Sequence, residues 1–185
     1  MATRRAAKKT TARKAAKRRG TAGKKTAKTR PKAKASAATS YPAVTPYICC
    51  KGAAGALDFY KTGFGAKERL RMTSPDGTIG HAEIVVSGEP IMLSDEYADM
   101  GVFSPTSVGG SPVTIHLYVR DVDGFVNRAV SAGATVLQAP QDMPYGDRAG
   151  TIRDPFGHRW MVATKKETVG KAALRKRFGE AFQIS

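Results

Sequence analysis

Short apolar runs alternate with glycine- and proline-containing turns over residues 41–164, and two longer segments have the spacing of amphipathic helices. The second segment has apolar residues at i, i+3, i+4, i+7 and i+8, which form one face of an α-helix: Val122, Phe125, Val126, Ala129 and Val130. Asp121 is placed to cap this helix and Gly133 to end it. A weaker helix is predicted from Gly52 to Thr62, with the stripe Ala53, Ala56, Leu57 and Tyr60.

The same region compares well with itself at a shift of 69 residues, so that the runs Val44–Cys50 and Val113–Val119 coincide. In each copy a strand leads into a helix, and three more strands follow. The predicted later strands are 67–72, 80–86 and 91–94 in the first copy and 134–138, 150–153 and 158–163 in the second. We therefore predict an α+β fold of two βαβββ modules, over about 41–96 and 111–164, with a long connection between them that is either a linker or a lid.

The charge of the chain is concentrated at its N-terminus. The 185 residues have a formal net charge of +16, and residues 1–40 contain 15 Lys and Arg but no acid. Residues 41–164 hold ten basic and thirteen acidic side chains, a net of −3. About 145 residues after the arm are enough for one domain with its own core. The chain therefore combines a polycationic arm with a slightly acidic domain.

The arm, residues 1–40, has no aromatic or large aliphatic side chain apart from its initial Met, and we expect it to be disordered when free. Its composition resembles the Lys/Ala-rich tails of histone-like proteins. A polycation of this kind binds DNA or RNA without sequence preference, and an incidental solvated arm or a transit peptide are the alternatives. The residues expected to contact nucleic acid are Arg4, Arg5, Lys8, Lys9, Arg13, Lys14, Lys17, Arg18, Arg19, Lys24 and Lys25.

The remaining features concern location and the C-terminus. The two cysteines, Cys49 and Cys50, are adjacent in a predicted strand, where neighbours point to opposite faces, so a bridge between them would be strained. No apolar run is long enough to cross a membrane. We expect a cytoplasmic protein that makes no membrane contact, nucleoid-associated if the arm binds DNA. Residues 165–185 form a basic extension that can be helical.

Two motifs carry a resemblance to a known family. Leu57-Asp58-Phe59-Tyr60-Lys61 stands in the first half, and Gly146-Asp147-Arg148 followed by Asp154-Pro155-Phe156-Gly157-His158-Arg159-Trp160 stands in the second. With the paired βαβββ pattern, they resemble the vicinal oxygen chelate superfamily of glyoxalase I, bleomycin-resistance proteins and extradiol dioxygenases. Together with Gly80-His81-Ala82-Glu83-Ile84, the second motif is similar to the PhnB-like branch. The resemblance covers nearly all of 44–164 and implies a homodimer and a small-molecule ligand.

The resemblance also indicates where metal ligands would lie, at one point in the first and last strand of each half. Those points are Thr45, Met92, Thr114 and Met161, and the 69-residue shift pairs Thr45 with Thr114 and Met92 with Met161. Neutral hydroxyl and thioether groups are poor ligands for the metals of such enzymes. We therefore expect no metal at these positions, and glyoxalase I or extradiol dioxygenase activity is disfavoured.

The side chains that share the faces of these positions are the candidate ligand-binding groups. Strand alternation adds further inward-facing residues to the four above: Tyr47, Cys49, Ser94, His116 and Tyr118. A tight hairpin near Gly88 would bring His81 and Glu83 to the same space. Asp147 and Arg148 are expected to pair with each other or to brace the neighbouring loop, with ligand contact as the alternative. Trp160, opposite in parity to Met161, is expected to pack against a helix.

Three hypotheses follow from these residues. The leading one is a small-molecule-binding protein that needs no cofactor and takes an antibiotic or an aromatic metabolite. The second is a lyase, isomerase or oxygenase that uses His81, Glu83 and His116, with or without a divalent metal. The third is a nucleic-acid-associated protein that acts through its basic arm.

Overall fold

The computed structural model describes residues 41–184 of the chain. The arm, with its expected disorder and its nucleic-acid-contacting residues, lies outside this range. The first half contains β1 (Tyr47–Cys49), α1 (Ala53–Gly63), β2 (Lys67–Thr73), β3 (Ile79–Val86) and β4 (Glu89–Ser94). The second half contains β5 (Thr114–Tyr118), α2 (Val122–Ser131), β6 (Thr135–Asp142), β7 (Asp147–Arg153) and β8 (Arg159–Lys165), and α3 (Lys171–Phe178) follows.

The strands form two four-stranded sheets of identical topology, in the orders β1-β4-β3-β2 and β5-β8-β7-β6. In each sheet the outer first strand runs parallel to the last strand, and the other neighbours are antiparallel. The register repeats as well, since Tyr47 lies beside Met92 and His116 lies beside Met161. The predicted α+β fold of duplicated βαβββ modules is confirmed.

The first strand is shorter than the apolar run predicts. It begins at Tyr47, so Thr45, which was expected within this strand, lies ahead of it. Proline at position 46 has no N–H to give to a strand ladder, although its carbonyl accepts a hydrogen bond from Met92 N at 2.9 Å. The Thr45 hydroxyl instead donates to the Pro42 carbonyl at 3.3 Å.

A carboxylate accepts hydrogen bonds from the first backbone N–H groups of α1 and of α2, but the two carboxylates come from different parts of the chain. Asp121 caps α2 as predicted, and its side chain accepts from Gly124 N at 3.1 Å. The start of α1 is capped from across the sheet, because Asp95 Oδ1 accepts from Gly52 N at 3.0 Å and from Ala53 N at 2.7 Å. The other Asp95 oxygen accepts from Ile79 N at 2.7 Å. One residue after β4 therefore fixes the start of α1 and of β3.

The core of the described region lies between the helices and the two sheets. Trp160 is fully buried, with its ring at right angles to Phe64 at 4.9 Å and tilted against Tyr60 at 5.9 Å. Phe64 of the first half contacts Phe125 of α2, with ring centroids 4.8 Å apart. The two modules thus share one aromatic core, and the prediction that Trp160 packs against a helix is confirmed.

A buried carboxylate ties this core together. Asp154, 3% exposed, accepts from the Tyr60 hydroxyl at 2.6 Å and from Trp160 Nε1 at 2.9 Å with one oxygen. Its other oxygen accepts from Phe156 N at 3.0 Å and His158 N at 2.9 Å. These four donors account for a buried charge that would otherwise destabilise the fold. The Asp-Pro-Phe-Gly turn is therefore a structural joint between the modules.

Within residues 41–184, no helix is long and apolar enough to cross a membrane. The C-terminal helix α3 has no buried residue and carries three basic side chains in its last turn. Its Arg177 forms an ion pair with Glu167 at 2.6 Å.

Candidate functional site

Each sheet has one face against the helices and one open face, and strand alternation decides which side chains reach the open face. In the first module Ile48, Ala82 and Leu93 are buried in the core. Their strand neighbours therefore point away from the helices. The open face of the first module, which we call the first face, carries Tyr47, Cys49, Leu70, Met72, His81, Glu83, Met92 and Ser94. The corresponding second face carries Thr114, His116, Tyr118, Asp147, Thr151 and Met161.

Glu83 is the centre of a polar cluster on the first face. It is only 5% exposed, and its Oε1 accepts from the Tyr41 hydroxyl at 2.7 Å. His81 Nε2 lies 3.4 Å from the same oxygen, and an Arg69 guanidinium nitrogen lies 3.7 Å from Oε2. His81 Nδ1 is in turn 3.1 Å from the Tyr47 hydroxyl. The cluster is a connected set of hydrogen-bonding groups around one carboxylate.

A bulge in β2 accounts for the position of Arg69. Glu68 pairs with Ile84 and Leu70 pairs with Glu83, so that Arg69 has no partner opposite it in the ladder. An extra residue of this kind bends the strand and re-aims a side chain. The bulge places Arg69 beside Glu83, while Glu68 forms ion pairs with Arg71 and a lysine of α1 on the helix side.

The hydrogen bonds of the cluster alter its proton affinities. The phenol of Tyr41 is the main cause that lowers the pKa of Glu83, and the His81 and Arg69 contacts act in the same direction. The same hydrogen bond raises the pKa of Tyr41. At neutral pH Glu83 is therefore an ionised acceptor and Tyr41 a neutral donor. This pair is suited to hydrogen bonding.

The second face has a different arrangement, built on two stacked rings. His116 and Tyr118 lie with ring centroids 4.8 Å apart and planes 18° from parallel. The Tyr118 hydroxyl donates to Asp147 Oδ2 at 2.8 Å, which raises the pKa of Tyr118. Lys165 Nζ lies 3.1 Å from the other Asp147 oxygen as an ion pair. Half of the Tyr118 surface is exposed, so the ring pair offers a flat surface for stacking.

Asp147 and Arg148 were expected to pair with each other or to brace the neighbouring loop, and of these alternatives the mutual pairing is wrong. Arg148 binds Asp123 of α2 through two nitrogens at 2.7 and 2.8 Å and Asp142 at 3.3 Å. Asp147 lies on the second face with Tyr118. The two are neighbours in β7, and neighbours in a strand point to opposite faces.

The four positions at which the resemblance implies metal ligands carry two threonines and two methionines. Met92 and Met161 lie on the two faces in equivalent registers, Thr114 begins β5, and Thr45 precedes β1. Within residues 41–184, no group of three or more His, Cys, Asp or Glu side chains is arranged to hold a metal ion.

The proposed acid–base set is only partly assembled within the chain. His81 and Glu83 are in contact on the first face, whereas His116 belongs to the second sheet and contacts Tyr118. Cys49 and Ser94 also reach the first face. The Cys49 thiol donates to the Asp95 carbonyl at 3.6 Å, and the Ser94 hydroxyl donates to the same carbonyl at 3.0 Å. Burial raises the pKa of Cys49 to about 11, so its thiol is protonated at neutral pH.

The long connection between the modules covers a cavity. Residues 103–113 close a space of about 330 Å³ against β1 and the start of β5, lined mainly by apolar groups. His158 reaches this space, and its Nε2 lies 2.9 Å from the Cys49 carbonyl. The connection is therefore packed against both modules and is more than a linker.

Sequence reasoning missed two parts of this arrangement. Tyr41 was expected only to begin the domain, and its contact with Glu83 spans 42 positions without any periodic signal. The role of Asp154 was understood only as a turn residue, although its neighbours Tyr60 and Trp160 both carry polar hydrogens that a buried site must satisfy.

The paired modules and the two open faces define a glyoxalase-like fold, and comparisons with known proteins identify the family. Residues 42–162 match the model of the Glyoxalase/Bleomycin resistance protein/Dioxygenase superfamily. The chain belongs to this superfamily.

Three relatives illustrate its range. An uncharacterized protein of Mycobacterium bovis is 47% identical over 124 residues, covering 65% of this chain and 82% of that protein. The anthracycline biosynthesis protein DnrV of Streptomyces peucetius is 29% identical over 136 residues, and the match covers 59% of this chain and 49% of DnrV. The crystal structure of TioX from Micromonospora sp. ML1 is similar with a TM-score of 0.53 and 27% identity, covering 68% of this chain and 98% of TioX.

Proposed function

We propose that this protein binds an aromatic small molecule on its open sheet faces and needs no metal to do so. The observation that carries the proposal is the pairing of Tyr47 with Met92 on one face and of His116 with Met161 on the other. Each face thus offers an aromatic ring and a polarizable thioether beside polar groups, a combination suited to planar apolar ligands. The Gly146-Asp147-Arg148 motif supports placing this protein in the PhnB-like branch of the superfamily.

The ligand class follows from the chemistry of the two faces. The stacked His116 and Tyr118 rings suit a flat aromatic compound, and Glu83 and Asp147 suit its hydroxyl or amino groups. The name of the relative DnrV associates that protein with anthracycline biosynthesis, which makes polycyclic aromatic metabolites and antibiotics the first compounds to test.

Two copies of the chain complete the site in this proposal. Leu70 and Met72 on the first face are 44% and 58% exposed, which leaves apolar surface available to a second copy. In a homodimer, the first face of one copy opposite the second face of the other would enclose a ligand. Light scattering on a sizing column tests this, because Met72→Glu should convert a dimer into a monomer while the fold persists.

The test of binding is a thermal-shift screen of the full chain in a metal chelator against a panel of aromatic metabolites and antibiotics. A bound ligand increases the free energy of unfolding by RT ln(1 + [L]/Kd), and the Tm rises with ligand concentration as a result. An enzyme acting through His81, Glu83 and His116 would instead show turnover that His116→Ala abolishes. Stabilisation that requires an added divalent metal would contradict the proposal.

Nucleic-acid contact through the arm is a second candidate function, favoured by the 15 basic residues and no acid within 1–40. Charge neutralisation of phosphates would make this binding steeply salt-dependent and insensitive to sequence. The domain has too little positive charge to bind on its own, with a net of −3 over 41–164. This role would set where the protein is located, in the cytoplasm or on the nucleoid.

A further inference from the structure

Tyr41 lies on the first face instead of in the core. Its hydroxyl donates to Glu83 at 2.7 Å, and the Arg69 guanidinium carbon lies 5.1 Å from the centre of its ring. The ring is therefore held at its edge by a carboxylate and over its surface by a cation. Both interactions are recognised ways to bind a phenol in a protein.

The receiving groups are fixed, whereas the segment that carries Tyr41 is weakly attached. Glu83 belongs to the central strand β3 and is nearly buried, and Arg69 is set by the bulge in β2. Among contacts within the described residues, 41–184, the only other side-chain hydrogen bond of residues 41–45 is that of Thr45 to Pro42. Val44 in this segment is 84% exposed and Tyr41 is 43% exposed. Tyr41 can therefore leave while its binding groups stay in place.

We infer that Glu83, Arg69 and His81 form a subsite for the phenolic hydroxyl of an aromatic ligand, and that Tyr41 occupies this subsite as an internal competitor until the ligand replaces it. The inference rests on the proposed function, because the subsite belongs to the first face. It adds the chemical class of one end of the ligand, a neutral phenol, and a role for the residue that connects the basic arm to the domain.

The exchange has a simple physical basis. Removing Tyr41 would leave a nearly buried, ionised Glu83 short of its principal hydrogen-bond donor, and an unmet acceptor of this kind is costly. A ligand phenol restores the same hydrogen bond and the same contact with Arg69. The lowered pKa of Glu83 keeps the carboxylate ionised at neutral pH, which is the state that accepts from a phenol.

The direct probe is 4-methylphenol, which is the tyrosine side chain as a free molecule, titrated into the full chain and followed by amide NMR shifts. If Tyr41 fills the subsite about nine-tenths of the time, the Kd of the probe should be about tenfold lower in Tyr41→Ala than in the unsubstituted protein. Val44→Ala changes an exposed side chain of the same segment and serves as the matched control, with an unchanged Kd. An unchanged Kd in Tyr41→Ala as well would overturn the inference.

A second comparison tests the recognition of the hydroxyl. The matched probe 4-methylanisole has no hydrogen to donate, so Tyr41→Ala should prefer 4-methylphenol. Adding Glu83→Gln should weaken that preference, because an amide oxygen is a poorer acceptor than a carboxylate. Amide dispersion establishes that the variants are folded. If the shifts instead map only to His116 and Tyr118, the subsite inference is wrong while aromatic binding, the proposed function, stands. If neither face responds to any compound of the aromatic panel, both proposals are wrong.

Discussion

The Tyr60 hydroxyl donates to Asp154 Oδ2 across 2.6 Å and joins α1 of the first module to the Asp-Pro-Phe-Gly turn of the second. Both residues are buried, at 0% and 3% exposure. Burial raises the pKa of Tyr60 well above its ordinary value, so the phenol remains a donor throughout the physiological range. The modules are therefore held together by a polar contact inside an aromatic core.

Tyr60→Phe should consequently destabilise the fold. A lost hydrogen bond to a buried charged group costs about 1.5–3 kcal/mol, and within the part of the chain that the structure describes Trp160 would remain the only donor to Asp154 Oδ2. The free energy of unfolding in urea measures this loss. Tyr47→Phe is the matched control, since its half-exposed hydroxyl contacts the His81 ring and no buried carboxylate. Equal losses in the two variants would argue against a special role for the buried joint.

The Asp-Pro-Phe-Gly turn also contacts the long connection, which predicts a second difference in stability. Gly157 and Gly77 have nearly the same backbone angle, with φ of +90° and +89°. An alanine Cβ at 157 would lie 2.9 Å from Pro105 Cβ, whereas one at 77 meets nothing within 4 Å. Gly77→Ala should cost about 1 kcal/mol for the left-handed backbone alone.

Gly157→Ala should cost about 1–3 kcal/mol more than Gly77→Ala, because it adds overpacking against the connection. Thermal unfolding of the two variants under the same conditions isolates the steric contribution to the destabilisation of Gly157→Ala. Similar Tm values would show that the connection moves away without penalty and is not packed against the turn.

The Tyr41–Glu83 contact predicts a pH dependence. The folded pKa of Glu83 is lowered, chiefly by the Tyr41 hydrogen bond. The group therefore contributes stability above its unfolded pKa of about 4.3, and that stability is lost as the pH falls through the lower folded value. Carbon NMR of the carboxyl measures the folded pKa directly. Tyr41→Phe should raise it toward its ordinary range, and an unchanged pKa would contradict the contact.

The modules could be predicted from the sequence because their information is local and repeated. Apolar spacing marks α2, and the 69-residue shift aligns one module on the other. Strand alternation also placed Met92 and Met161 on the open faces. Strand alternation does not indicate which sheet faces of one chain lie opposite each other. The predicted acid–base set therefore combines His116 with His81, although the two residues belong to different sheets. The Tyr41–Glu83 contact is long-range and has no periodic signal at all.

The arm carries a prediction of its own. Replacing the eleven basic residues Arg4, Arg5, Lys8, Lys9, Arg13, Lys14, Lys17, Arg18, Arg19, Lys24 and Lys25 with glutamine should remove the electrophoretic shift of a DNA duplex. The loss follows because phosphate neutralisation supplies the binding energy. Neutralising Lys171, Arg175 and Lys176 of the C-terminal extension is the control, and should leave the shift in place. A shift that survives the first replacement would exclude these eleven residues as the binding element.

The central claim is that the two faces bind an aromatic ligand without a metal. Its most direct test is calorimetric titration of the strongest compound from the screen into the full chain in excess chelator. We predict saturable binding that weakens at least tenfold in both Tyr47→Ala and Tyr118→Ala, and that is unchanged in Val130→Ala, an exposed side chain of α2. Binding that appears only when a divalent metal is added, or that ignores both tyrosine substitutions, would contradict it.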